Sequence, residues 1–535
     1  MAVTQLKIGV LIKGPEVTPW TIEFLRRLRK LAWVGERSSL EFVVIDFKPN
    51  FAARCSTSTS SSRTKLSQLF FRGLLWLDSL RTRRFRERRS LREVGAELRV
   101  LSVATEQEAT QLLDGVQLVV DLVGLPLAEL RAEYGVWRVN LGEGCSPVSV
   151  FAGCQELIAG KETSEAQLKI QLNGQTLMAG RLPVRTHKTS FFLNQAYLAR
   201  GGLGLMYLAL RSFFECNDKL AYFRRLHSLT SMVPEVELSL GAQLRAVLLV
   251  FERVLSARGR SGTKGKTQWS FGVVRKRGRE IHSEDLREVA WYNPGRHHFV
   301  ADPFVFEHQG VTYLFVEEYE YLKRRGHISC CEVRKDGSFS ELKTVLTRDF
   351  HLSFPLVFRD GGRIFMLPEQ SASNRVVLYE AVEFPYSWEE RAVLLEDFPG
   401  VDNVIFRRDG IWWLYSTFGA FGCQDCNLNL FFSQSLTGPY QSHPQNPVSL
   451  SLRGSRMAGG MMMEGAQLSR VGQNCVRRYG GSVVIYDLEI LSAEQYLEKE
   501  VREILPPLGS PFGESFHTIN SVADFSAVTG MRFVK

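Results

Sequence analysis

"ADPFVFEHQGVTYLFVEE", residues 301–318, decides the fold of this chain. An Asp-Pro pair opens an apolar run rich in β-branched and aromatic residues, a Gln-Gly turn follows, and a second aromatic run ends on Glu317 and Glu318. That is the pattern of two adjacent strands joined by a tight turn. It recurs as "FPLVFRDGGRIFMLPEQ" from Phe354 and "DNVIFRRDGIWWLYSTF" from Asp402, and a period of about 50 residues marks a repeat architecture. Weaker copies begin at Ala458 ("AGGMMMEGAQLSRVGQ") and His517 ("HTINSVADFSAVTGMRF"). Five such units, each a four-stranded sheet set radially, make a small β-propeller whose inner strands all start at one mouth of a central channel.

The repeat register then gathers residues that are far apart in sequence. The mouth receives Asp302, His351 to Phe354, Asp402, Arg456 and His517, one group from each unit, with Glu317 or Glu318 and Glu369 arriving on the second strands. Several carboxyls around a funnel, among Arg and His, suit glycoside chemistry. One carboxyl donates a proton to the leaving oxygen, and another serves as base or nucleophile. Asp302, Glu369 and Asp402 are therefore the candidate catalytic set. Glu317, Glu318, His351, Arg456, His517 and the cluster Arg477, Arg478 and Tyr479 in "RRYGG" are candidates for ligand contact. Each has a plain structural reading beside it: Asp-Pro punctuates turns, Arg pairs salt bridges, and a His before an apolar strand is often simply buried.

Upstream the chain reads differently. "KIGVLI" from Lys7, "EFVVIDF" from Glu41, "ELRVLSV" from Glu97 and "VQLVVDLVG" from Val116 alternate with helix-forming stretches, the signature of a parallel α/β sheet over residues 1–195. A Ser/Thr-rich stretch from Cys55 reads as an insertion. Residues 196–258 carry helical periodicity and are expected to form a connector, 259–268 a basic flexible linker, and 269–535 the propeller. The fold class is thus multidomain, α/β followed by all-β.

Composition narrows the function. The 535 residues carry a net charge of +9, concentrated in Arg81–Arg92 and in the run from Arg258 to Arg279. Such runs can meet phosphates or an anionic membrane surface, and Arg81–Arg92 is the candidate for either. Neither run interleaves aromatics as a single-strand nucleic-acid platform does, so nucleic acid is set aside. The nine cysteines show no disulfide framework, which points to reduced thiols and a cytoplasmic setting. Cys423 and Cys426 form a lone C-x-x-C with Cys475 the next Cys downstream, too few ligands for zinc. No apolar run is long enough to span a membrane. "GGLGL" from Gly201 follows no strand and calls for no dinucleotide, so no cofactor is expected.

Two resemblances extend this. The ordered motifs "ADPFVF…YLFVEE…GHISCCEV", "FPLVF…RIFMLPEQSASNRVVLYEA", "VDNVIF…IWWLYSTF", "NLFFSQSLTGPY", "GQNCVRRYGGSVVIYDLEIL" and "HTIN" resemble the domain at the N-terminus of plant glucosamine inositolphosphorylceramide transferases. That domain is similar to the five-bladed propellers of arabinanases, xylosidases and invertases. The resemblance implies a carbohydrate-active or glycan-binding protein whose ligand is a glycan, a glycolipid or a nucleotide-linked sugar. In the plant proteins glycosyl transfer is attributed to a further C-terminal domain, so a non-catalytic recognition role stands as the alternative. Residues 134–183 resemble the core of formyltransferases of the methionyl-tRNA and sugar-amine type. There the expected Asn, His and Asp fall on Arg138, on Asn140 and near Leu172 or Asn173, and none of these can shuttle a proton at neutral pH. A degenerate formyltransferase-like domain is the expectation, with folate-dependent formyl transfer as a second alternative and with Asn140, Glu143 and Asn173 left as polar contacts.

Overall fold

The computed structural model describes residues 6–14, 16–31, 40–47, 62–80, 87–94, 99–103, 108, 111–124, 132–142, 149, 151–216, 218–229, 238–261, 266–522 and 525–534. Most of the Ser/Thr-rich stretch from Cys55, Arg81 to Arg86, Glu143, and residues 262–265 of the basic linker lie outside these described residues. The chain divides into two compact units, Met1–Gly259 and Arg260–Lys535.

The first unit is built on one mixed sheet. Its strands are β1 (Leu6–Lys13), β2 (Leu40–Phe47), β3 (Arg99–Val103), β4 (Leu118–Asp121), β5 (Val136–Leu141), β6 (Thr163–Leu172), β7 (Gln175–Arg185) and β8 (His227–Ser228), in the spatial order β8-β7-β6-β5-β4-β1-β2-β3. β5, β4, β1, β2 and β3 run parallel, and β6, β7 and β8 extend the sheet antiparallel. Burial on both faces explains why β1 and β4 read as continuous apolar runs while β6 alternates. Four helices matter here: α1 (Pro19–Leu31), α2 (Ser62–Ser79), α3 (Phe191–Glu215) and α4 (Leu240–Ser261). α3 begins before residue 196 and lies against β5, β6 and β7, so this stretch is a layer of the first unit rather than a connector. Gly201 and Gly202 explain "GGLGL": a Cβ on Gly201 would stand 2.9 Å from Val184 Cγ2, and one on Gly202 would stand 2.6 Å from Val139 Cγ1. The glycines let the helix backbone close onto the sheet.

The described residues of the second unit form five sheets, four of four strands and one of five. Blade 1 is His298–His308, Val311–Glu320, Arg325–Val333 and Lys343–Leu346, and blade 2 is Ser353–Asp360, Arg363–Glu369, Val376–Glu383 and Ser387–Leu395. Blade 3 is Gly400–Arg408, Ile411–Phe418, Asn429–Ser433 and Gln441–Ser442. Blade 4 is Arg453–Met457, Gln467–Asn474, Ser482–Leu491 and Tyr496–Ile504, with Met462–Glu464 also pairing to its second strand. Blade 5 joins the two ends of the unit: Ser515–Val522 and Phe525–Val534 pair with Lys266–Val274, which carries Ala290–Trp291. Apolar side chains between neighbouring blades form the core, as where Phe306, Phe315 and Ile328 of blade 1 meet Val357, Met366 and Tyr379 of blade 2.

The closing strand has a packing anchor. Phe271 is fully buried, stacks on Tyr292 at 4.9 Å and meets Phe339 edge-on at 5.1 Å, within a cluster that joins blades 5 and 1. Phe271→Ala should therefore destabilise the second unit by about 3–5 kcal/mol, read as a lower urea midpoint for the unfolding of that unit. A change within a few tenths of a kcal/mol would mean that blade 5 is not what holds the ring shut.

Candidate functional site at the mouth of the propeller

Each inner strand is bulged at the same point. The pairing register slips between Ala301 and Phe304, Ser353 and Leu356, Val401 and Val404, Arg453 and Met457, and Phe516 and Thr518. The extra residues at these five slips include Asp302, Phe354, Asp402, Arg456 and His517. A bulge releases a residue from the ladder and re-aims its side chain. Asp302, Phe354 and Asp402 sit at φ 51°, 46° and 47°, a left-handed backbone that Asp tolerates and Phe rarely adopts. The Asp-Pro of the first repeat is thus a bulge rather than simple turn punctuation.

The side chains so placed stitch blade to blade. His517 Nε2 lies 2.8 Å from Asp302 Oδ1, joining blades 5 and 1. His351, just ahead of blade 2, has Nε2 3.5 Å from Glu317 Oε1 of blade 1. The Asp402 backbone N–H donates to Glu369 Oε2 at 3.3 Å, joining blades 3 and 2. Arg456 of blade 4 donates from Nε to Asp402 Oδ2 at 2.6 Å and from Nη1 to Asp425 Oδ1 at 3.2 Å, with Nη2 3.9 Å from Glu369 Oε2. Gln473 Nε2 adds a second donor to Asp402 Oδ2 at 2.8 Å. Between blades 4 and 5, the Tyr479 ring lies 5.4 Å from that of His517, under the Arg456 guanidinium at 4.8 Å, and Trp269 meets His517 edge-on at 4.3 Å. Asp302, Glu317, Glu369, Asp402 and His517 are all between 1% and 7% exposed, so the cluster is a buried electrostatic unit.

Burial, and then the neighbouring Asp302, Glu369 and Asp402, push the Glu317 carboxyl well above its ordinary range. Burial also holds the His351 imidazole down. The neutral ring accepts the Gly326 N–H at Nδ1 over 2.9 Å, so its proton sits on Nε2 facing Glu317. Gly326 is required there, because a Cβ would stand 2.7 Å from His351 Cε1 and 2.9 Å from Glu317 Oε1. Burial pushes the Asp402 carboxyl up as well, and Arg456 pulls it back. Arg456 Nε and Gln473 Nε2, both at hydrogen-bond distance, fix the position of that carboxyl. His517 Nε2 and Asp302 Oδ1 share one hydrogen bond. His517 Nδ1 and Gln473 Oε1 are buried polar atoms with no hydrogen-bond partner among the described residues.

Three expected contacts lie elsewhere. Glu318 follows Glu317 on one strand and therefore points to the opposite face. There it accepts the Ser329 hydroxyl at 2.7 Å and lies 3.3 Å from His327 Nε2, which lowers its pKa. Arg477 and Arg478 are exposed, Arg478 facing Glu514 at 3.9 Å, while only Tyr479 of "RRYGG" turns inward. Sequence reading missed Asp425, Gln473 and Trp269. Gln473 was recoverable, since it sits opposite the blade 4 bulge. Asp425 was hidden inside the C-x-x-C, whose cysteines are buried; the hydrogen bond between Cys426 and Cys423, and then burial, hold the Cys426 thiol well up, so the motif is a turn carrying Asp425. In the first unit Arg138 is engaged by the buried Asp121, Nε to Oδ2 at 2.7 Å, and Asn173 with Gly174 makes the left-handed turn between β6 and β7.

Residues 292–506 match the model of the family described as "Glucosamine inositolphosphorylceramide transferase 1, N-terminal". This segment belongs to that family. A transferase of that name from Arabidopsis thaliana is 36% identical over 208 residues, 38% of this chain and 27% of the plant protein, and the one from Oryza sativa subsp. japonica is 35% identical over the same length. The chain spans just over a quarter of the curated relatives it matches. Among solved structures, an exo-beta-1,3-galactanase from Phanerochaete chrysosporium is similar at 14% identity and a TM-score of 0.32, over 40% of this chain and 55% of that one. Similarity of that order adds nothing to the reading of the site. The transferase N-terminal family match runs through blades 1 to 4 and includes every ring residue except Trp269 and His517.

Two outcomes follow. A glutamate whose pKa is raised by folding stabilises the fold below its ordinary pKa, and that stabilisation is lost as pH rises through the folded value. Glu317→Gln, uncharged throughout, should lose less melting temperature than the native chain as pH climbs above about 4.5, and identical pH profiles would refute the buried neutral acid. Arg456→Met leaves Asp402, Asp425 and Glu369 without their shared cation and should cost about 3–5 kcal/mol near neutral pH. Chemical denaturation should show that loss shrinking on acidification, as the orphaned carboxylates take up protons.

Proposed function

We propose that the second unit acts on a sugar-containing ligand, a glycan, a glycolipid headgroup or a nucleotide-linked sugar, at the mouth where the five bulges meet. The reaction is glycosyl transfer or hydrolysis, with Glu317 as proton donor and Asp302 as the carboxylate that activates the incoming hydroxyl or attacks the anomeric carbon. One observation carries this reading: blade 1 alone supplies two carboxyls in contrasting surroundings, Glu317 held neutral by burial among acids and Asp302 hydrogen-bonded to His517 Nε2. Glycoside chemistry asks for such a division of labour. Asp402 and Glu369, gathered on Arg456, serve as fixed acceptors for sugar hydroxyls, with His517 Nδ1 and Gln473 Oε1 as further hydrogen-bonding atoms. The name of the plant relatives supports a glycolipid as the ligand class.

A second reading, recognition of a glycan without cleavage, is favoured by the Arg456 contacts, which neutralise two of the acids a hydrolase would use. Asp302→Asn separates the two. Catalysis predicts that the native chain turns over glycosides or sugar nucleotides and that the variant loses at least about 100-fold in rate while still binding. Recognition predicts no turnover in either protein and a loss in glycan affinity of about 10- to 100-fold, the equivalent of one charge-assisted hydrogen bond. A native chain that neither binds nor converts any glycan on a broad array would sink both.

A further inference from the structure

The acids at the mouth have aromatic neighbours on blade 1. Phe299 and Tyr319 face each other across its first two strands, two residues beyond the pair of Ala301 and Glu317. Side chains two apart share one face of a strand, so Tyr319 lies on the Glu317 face, about 7 Å farther out from the ring. The Phe299 and Tyr319 rings stack at 4.7 Å, 7° from parallel, and Tyr321 meets them edge-on at 6.0 and 6.1 Å. The Tyr319 ring also lies 5.9 Å from that of His351, the imidazole that faces Glu317. The Tyr321 hydroxyl donates to the Thr267 carbonyl at 3.0 Å, which ties this tier to the strand that carries Trp269. None of the three aromatics is fully buried, and His351 keeps 37% of its side chain exposed. Half-exposed aromatics gathered beside a few buried polar groups are the lining of ligand sites.

A pyranose matches this pairing of surfaces. One face of the sugar ring presents C–H bonds, which pack on the electron-rich face of an aromatic ring, while its edge presents hydroxyls to carboxyls and imidazoles. We propose that Phe299 and Tyr319 form a second sugar subsite beside Glu317, so that the mouth takes a neutral glycan of two or more residues, one at the acid and the next on the aromatic pair. This rests on the sugar reading of the mouth and goes past it by fixing the length and charge of the ligand. The ring argues against a sugar nucleotide as the occupant. Asp302, Glu317, Glu369, Asp402 and Asp425 are gathered there around a single guanidinium, Arg456, while Arg477 and Arg478 are exposed outside it. Lys266, over the Tyr321 ring at 5.7 Å, adds one cation against that set. A diphosphate would enter an acid-rich site, whereas a neutral glycan brings no charge to oppose it.

The test is binding of the full chain to an array carrying neutral mono-, di- and trisaccharides of the same sugars, with a uridine diphosphate sugar as soluble competitor. The native chain should hold disaccharides at least about tenfold more tightly than their monosaccharides. Tyr319→Ala should erase most of that difference while leaving monosaccharide binding unchanged, and Tyr319→Phe, which keeps the ring, should retain it. If Tyr319→Ala does not fold, Phe299→Leu removes one ring at similar bulk and reads out the same subsite. A native chain that binds glycans without regard to length, or a folded Tyr319→Ala variant that keeps the native length preference, overturns the subsite and leaves the sugar reading standing. So does competition by the sugar nucleotide that Tyr319→Ala abolishes, which would put a base on the aromatic pair. A native chain that binds no sugar of any length overturns the sugar reading itself, and the subsite with it.

Discussion

Buried charge must find a partner, and at the mouth of this propeller the partners stand on neighbouring blades. Asp302 is satisfied by His517, Glu317 faces His351, Glu369 accepts from the Asp402 backbone, and Asp402 is held by Arg456 and Gln473. No blade can place its own mouth residue correctly unless its neighbour is already in position. The polar ring and the apolar inter-blade core therefore depend on one another, because both require the inner strands to arrive in register. The bulges bring this about. They expel one position from each inner ladder, two in blade 4, and aim a side chain at the mouth, at the cost of left-handed backbone at Asp302, Phe354 and Asp402.

The ring is also uneven, and the unevenness matters chemically. Blades 1 and 3 present aspartates at the bulge, blade 4 an arginine, blade 5 a histidine and blade 2 an apolar Phe354 packed on Phe304 at 4.8 Å. Arg456 lies at the blade 4 position and draws three acids onto itself, while the two carboxyls of blade 1, Asp302 and Glu317, face the histidines His517 and His351 instead. The departures from a strict repeat mix acids with Arg456 and His517, where an identical ring of five carboxyls could not ionise together in so small a volume.

The first unit uses its sequence peculiarities in another way. Gly201 and Gly202 serve packing, Arg138 neutralises the buried Asp121, and Asn173 with Gly174 turns a hairpin, so the positions with the most motif-like look hold the fold together. Its unusual surface feature, the exposed Leu240, Leu244, Leu248 and Leu255 of α4, carries no motif and emerges only when one face of the helix is found covered and the other bare.

The repeat and its register were legible in the sequence, because strand alternation, turn residues and the spacing of Asp302, Phe354 and Asp402 are local properties of the chain. That placed Asp302, Glu369, Asp402, Arg456 and His517 at one mouth, since a propeller maps repeat phase onto position. Sequence could not choose between Glu317 and Glu318, whose fates differ by one residue of pleat. Nor could it see that Asp425 joins through a buried turn, that Trp269 closes the ring from the far end of the unit, or that Arg477 and Arg478 point outward while Tyr479 turns in. Those outcomes depend on which blade stands beside which and on how deeply each charge is buried. Desolvation and contact across 215 residues, the separation between Asp302 and His517, are properties of the packed ring and of no segment of it.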